Sequence, residues 1–231
     1  MLDKAFEALK TYDWGMDPKL IQPIDEAIVS THGDAAARKD LESRLIAALQ
    51  GEAPRAAKDA VCRALRTIGT AASVPALAAL LADEKLSHMA RYALQCIPAP
   101  EAEKALAEAL SKVGGKLKIG VISSLGVRRS AAAVAPLQAP LADSDPVIAR
   151  AAACALGTIG SPEANQALTA AKARPETKDA IADSMLECAE NLLAAGKKQE
   201  AKAAYEKILS DSPSKAVKIA AERGAAACAG S

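Results

Sequence analysis

At 231 residues the chain is long enough to bury a substantial core, as one elongated domain or two small ones. Hydrophobic residues make up 51% but aromatics only 2%, so the apolar content is mostly Ala, Leu, Val and Ile, which predicts an all-α fold. A net charge of +1 gives no global pull toward nucleic acid or acidic membranes, and charges interrupt every apolar run well short of the ~20 residues of a spanning helix.

The chain opens on an amphipathic helix over 2–11 with acids in it, without the basic start or apolar stretch of a secretion signal. That points to a cytoplasmic protein, unless a leader has been removed. A turn at Tyr12-Asp-Trp-Gly15 follows. Asp17-Pro18 then signals a helix start, and Leu20, Ile21, Ile24, Ala27 and Ile28 recur at helical spacing to Ser30. His32-Gly33-Asp34 breaks that helix. The next runs over 34–50 with Leu41, Leu45, Ala48 and Leu49 on one face. Residues 1–55 thus read as an atypical cap of the kind that shields the end of a stack.

A regular array starts at Ala56. Four runs end in a glycine or proline stop: Val61–Gly69, Met89–Pro98, Leu117–Gly126 and Ala151–Gly160, with stop-to-stop spacings of 29, 28 and 34 residues. A period in that range is a solenoid signature. Each first helix is followed by a second, over Ala72–Ala82, Glu101–Lys112, Ala131–Leu141 and Pro162–Ala173. Two of these are near copies, Val74-PALAALLAD-Asp83 and Val134-APLQAPLAD-Asp143. In that alignment Pro140 takes the position of Leu80, where a helix-interior proline costs about 3 kcal/mol and predicts a kink or an early end.

Asp143-SDPVIARAAACALGTIGSPEA-Ala164 resembles the short bacterial HEAT repeat, with its Asp-rich turn, Val-Arg pair and Leu-Gly-x-Ile-Gly ending. The match holds at Asp143, Asp145, Pro146, Val147, Leu156, Gly157, Ile159 and Gly160. It departs after Val147, where Arg150 arrives three residues late, so the family's Asp–Arg ladder between turns is in question. The resemblance covers 56–174 and implies a right-handed α-solenoid of four HEAT-like hairpins whose second helices line a concave face.

Beyond Arg174-Pro175 the pattern changes. Residues 189–213 resemble a tetratricopeptide hairpin through the Gly196 turn, Ala201, Tyr205, Leu209 and the Pro213 stop. Lys215–Gly230 reads as one more first helix with a terminal glycine and no mate. It either caps the stack or marks a fragment of a longer array.

Five cysteines, Cys62, Cys96, Cys154, Cys188 and Cys228, form no CxxC, and only two histidines could help ligate a metal. Small buried hydrophobes are expected, with Cys228 the most exposed thiol. No cofactor is predicted. Between Glu108 and Asp143 no acid occurs, while Lys112, Lys116, Lys118, Arg128 and Arg129 supply five cations. If loops gather along one edge, these form a basic patch for phosphate or an acidic helix, weighed against a solvated face with no ligand. Too few aromatics accompany them to stack single-stranded nucleic acid. His88, Arg91 and Tyr92 share one side of a helix start, a candidate ligand corner. Tyr12 and Trp14 form either an interface anchor or part of the packed cap.

Enzyme readings fare worse. HEAT-like deoxyhypusine hydroxylases use paired His-Glu motifs for iron, whereas His32 precedes Gly33 and His88 precedes Met89. HEAT-like DNA glycosylases need aromatics around a damaged base. HEAT-like phycobilin lyases share the repeat and nothing more. The sequence therefore predicts a non-catalytic scaffold that binds an unidentified protein or peptide; the alternative is a basic patch for phosphate-bearing ligands or nucleic acid, and behind it a phycobilin-lyase-like enzyme.

Overall fold

The computed structural model describes residues 1–211 and 214–229; Pro213 and Gly230, the predicted stops, lie outside the described residues. Helix is the only regular structure among them. The chain forms two compact units, one over Met1–Val113 and one beginning at Gly114. The division falls at Gly114-Gly115, inside the predicted array, and Gly115 adopts a left-handed φ of 48°.

In the first unit, α1 (Leu2–Leu9), α2 (Gln22–Ser30) and α3 (Ala35–Gln50) form the cap. The predicted Asp17-Pro18 start is a single 3-10 turn, where the Asp17 carboxylate accepts from the Lys19 N–H at 2.9 Å. Two hairpins follow: α4 (Arg55–Ile68) with α5 (Val74–Ala78), and α6 (Ser87–Cys96) with α7 (Pro100–Ala109). First helix packs on first, α4 on α6, and second on second, α5 on α7. One buried carboxylate ties cap to array. Glu42 of α3 accepts from the Thr70 N–H at 2.7 Å, and from the Thr70 and Ser73 hydroxyls, ahead of α5. These donors satisfy a charge that would otherwise be costly to bury.

The second unit repeats the scheme with α8 (Gly115–Arg128), α9 (Val134–Leu141), α10 (Pro146–Ile159), α11 (Pro162–Ala170), α12 (Lys178–Ala194) and α13 (Lys198–Ser210). Here α8 packs on α10 and α10 on α12, while α9 packs on α11 and α11 on α13. This alternation of two rows is the α-solenoid arrangement. The last helix, α14 (Lys215–Ala229), lies against both α12 and α13, with Gly224 against the buried Tyr205 ring. Of the other predicted hairpin positions, Ala201 is buried, Gly196 makes the turn at φ 77°, and Leu209 is half-buried beside a buried Ile208.

Three expectations are corrected. Gly126 is not a helix stop: it is buried inside α8, where an added Cβ would stand 2.9 Å from Ala155 of α10. The helix ends instead at Arg129, in the left-handed region at φ 51°, where the next copy has Gly160 at 63°. With that register Leu65, Leu94, Leu125 and Leu156 are equivalent, each 0% exposed, at even spacings of 29, 31 and 31 residues. Pro140 does not shorten its helix: α9 runs eight residues to Leu141, whereas its counterpart α5 has five. It sits in the last turn, so its missing N–H forfeits one bond, to the Pro136 carbonyl, with no further turn of helix beyond it to disrupt. Cys96 and Cys154 are exposed and Cys228 half-buried, because the first two fall on the outer side of α6 and α10; Cys62 and Cys188 are buried.

The turn ladder survives with other partners. Asp143 accepts from the Asp145 N–H at 3.0 Å and pairs with Lys118 at 3.4 Å, and these contacts hold its carboxyl below the usual range. Arg174 donates to the Asp143 and Ser144 carbonyls at 2.6 and 3.1 Å.

Candidate functional site

Residues that pack a stack tightly are small; a site needs a place where they are not. One position after each repeat leucine stands Gly126 in α8 and Gly157 in α10, and a Cβ on Gly157 would come within 2.8 Å of the Ser184 carbonyl on α12. Close approach of consecutive first helices thus requires glycine there. In α4 the same position is Arg66. Its guanidinium lies over the ring of Tyr92 on α6, 4.4 Å from the centroid. Such a stack contributes about 0.5–1 kcal/mol at an exposed site.

Beside this pair opens a cleft of about 780 Å³. Its floor is apolar: Ile21 and Ile28 are half-buried and keep surface open to the cleft, over a layer of buried Leu9 of α1, Ile24 of α2, Leu45 of α3 and Val61 of α4. Its rim is polar. Arg63, Arg66 and Thr67 come from α4, Tyr92 from α6, Asp17, Lys19 and Tyr12 from the α1–α2 connection, and Gln22 and Asp25 from α2. The size and the mix of apolar floor and convergent polar groups are those of a ligand pocket.

Two of the sequence candidates, Tyr12 and Tyr92, thus meet at one cleft, although 80 residues separate them. Trp14 is 64% exposed on the same connection, with Met16 and Leu20 also exposed, so it stands out from the cap. His88 is exposed and does not line the cleft, nor does Arg91, whose guanidinium is half-buried and whose pKa burial lowers. The four cations of the second unit are not brought together. Lys116 and Lys118 stand at one end of α8 and Arg128 and Arg129 at the other, about 15 Å apart from Lys118 to Arg128 at 1.5 Å per residue. Lys118 is already paired with Asp143. Lys112 belongs to the first unit, beside Glu108 at the ends of α5 and α7.

Sequence reading missed Arg66, Arg63, Lys19, Asp17 and Asp25. The signal for Arg66 was present as a large cation where α8 and α10 carry glycine, but the misplaced register at Gly126 hid it. Burial pushes the Cys62 and Cys188 thiols up to about 12, so neither is a thiolate at neutral pH. Among the described residues no helix is long and apolar enough to cross a membrane, and no group of three or more His, Cys, Asp or Glu could hold a metal ion.

Fold and cleft together define a helical-repeat protein with a preformed surface pocket at its N-terminal end. Residues 102–186 match the family model of HEAT repeats, which supports a HEAT-repeat relationship; the cleft lies outside that segment. Among solved structures the chain is similar to human deoxyhypusine hydroxylase in complex with glycerol, with 19% identity, a TM-score of 0.37, and coverage of 83% of this chain and 94% of that one. It is similar also to an engineered protein, with 19% identity, a TM-score of 0.41, and coverage of 90% and 96%. No curated protein matches it.

Proposed function

We propose that the protein is a non-catalytic interaction scaffold that seats a segment of a partner protein in the Tyr12–Tyr92 cleft. One observation carries this reading: Arg66, Tyr92 and Tyr12 gather over an apolar floor at the repeat position where α8 and α10 close on glycine. A cleft built into a helical stack is preformed, so binding loses little conformational entropy on the scaffold's side. Tyrosine and arginine are the side chains that most often dominate interface energies, and exposed Trp14 next to the rim extends the same kind of surface.

The reading moves the binding surface from the second helices, where the resemblance implied it, to the first helices and the cap. Thr67 is exposed on the cleft wall, so Thr67→Trp fills the cleft without disturbing the core. Affinity capture from source cells with the wild-type and Thr67→Trp proteins, each checked by its melting curve, tests the proposal. Partners held by the first and lost by the second are expected. Identical capture profiles would overturn it.

A further inference from the structure

The Arg66 guanidinium has unused donors. Held over Tyr92, it makes no hydrogen bond or ion pair with any of the described residues, and neither does the side chain of Lys19, which also lines the cleft. A guanidinium stacked on a ring still presents its N–H edges, and that planar fork matches a carboxylate in two parallel hydrogen bonds. The hydroxyls of Tyr12 and Tyr92 add further donors around the rim, while that of Thr67 donates to the Arg63 carbonyl at 3.5 Å.

Two acids face this set. Asp17 is turned back on its own backbone, accepting from the Lys19 N–H, and its acceptor capacity is partly used. Asp25 is exposed on α2 and forms no hydrogen bond or ion pair with the rim cations among the described residues. Arg63 lies one turn from buried Asp59, whose charge partly offsets it. Arg66 and Lys19 are therefore the cations left for a ligand.

Resting on the reading of the cleft as a protein-binding site, we infer that its occupant is an acidic segment of the partner, with an aliphatic side chain against the half-buried Ile21 and Ile28 and an Asp or Glu carboxylate on Arg66. Charge complementarity at the rim and the apolar floor beneath it select that chemistry together. Lysine at position 66 keeps the charge and loses the fork, so a bidentate contact predicts that it does not substitute. Asp25 repels such a ligand, so its neutralisation tightens binding.

The test is fluorescence polarisation with a pool of labelled peptides, acetylated and amidated, each carrying one Leu or Ile and up to three Glu, beside matched pools with Gln or Lys for Glu. The Glu pool is expected to bind at least ~10-fold tighter than the Gln pool, the scale of one charged hydrogen-bonded contact. Arg66→Lys and Arg66→Gln should both abolish that preference, Asp25→Asn should strengthen it, and added salt should weaken it. Equal binding of the Glu and Gln pools, absence of binding by any Glu peptide, or full activity of Arg66→Lys overturns the proposal. A further pool of the same peptides with free C-termini completes the test: binding by that pool and by no amidated peptide also overturns the proposal, in favour of a chain terminus. If Thr67→Trp abolishes cellular capture while Glu and Gln peptides bind alike, the cleft stands and the acidic occupant falls; if Thr67→Trp changes neither, both fall.

Discussion

The first helices of the two units are built on the same leucine ladder and differ one residue later. In α8 and α10 that residue is Gly126 or Gly157, and the next helix comes close enough that a single methyl group would collide with it. In α4 it is Arg66, which covers Tyr92 on α6 and helps wall a cleft. One position of the repeat therefore selects between closing the stack and furnishing a surface. The same fold supports both because the buried leucine, not its neighbour, holds the register.

The strongest way to break this contrast is to put side chains where the glycines are. Gly157→Ala and Gly126→Ala should each destabilise the protein by about 2 kcal/mol or more in urea unfolding, the upper range for overpacking. An ordinary helix-interior Gly→Ala change stabilises by about 1 kcal/mol, so the sign alone is diagnostic. Arg66→Ala should change stability by less than about 1 kcal/mol, since it loses only an exposed stack. A Gly157→Ala protein as stable as wild type would end the comparison.

Glu42→Gln comes next. It keeps the shape but offers the Thr70 and Ser73 donors a neutral acceptor in place of a charge, and a loss of about 1–2 kcal/mol is expected in thermal melts. Asp59 gives a pH-dependent counterpart on α4. Burial raises its carboxyl above the ordinary aspartate range, so the folded state holds its proton more tightly than the unfolded chain does. Stability then falls as pH rises from the unfolded value of 3.8 through the raised one, and the burden is fully present above that window. Asp59→Asn should therefore stabilise more at pH 7 than at pH 3.5, compared by melts at the two values. The smallest effect is at the helix ends. Arg129→Gly relieves a left-handed non-glycine residue and should add about 1 kcal/mol, while Gly160→Ala, crowded by Asn191, should lose at least as much.

The array itself was legible because a leucine buried on one face must return with each hairpin, and nothing else in the chain has that period. Gly126 was misread for a physical reason. Glycine serves equally to end a helix and to admit a neighbour, and only the position of Ala155 on another helix decides between them. The cleft was half legible. Tyr12 and Tyr92 stood out as rare aromatics, but Arg66 and Lys19 are ordinary surface cations until the fold sets them round one floor. The basic run misled in the opposite way. Neighbours in sequence between 109 and 142 lie at opposite ends of a helix, and one of them is neutralised by an aspartate outside the run. Trp14 could not be placed at all, because a turn residue has no periodicity to say whether it faces in or out.

The even 31-residue step from Leu125 to Leu156 has a genetic consequence. Each leucine is followed by glycine, so excising residues 126–156 rejoins Leu125 to Gly157 and regenerates the Leu-Gly junction without a scar. The resulting helix would carry the start of α8 and the end of α10, still presenting glycine to Ser184 of α12. Recombination between the two copies can thus shorten or lengthen this array by whole hairpins while leaving every surviving contact layer in phase, and the N-terminal cleft, built outside the duplicated step, is carried along unaltered.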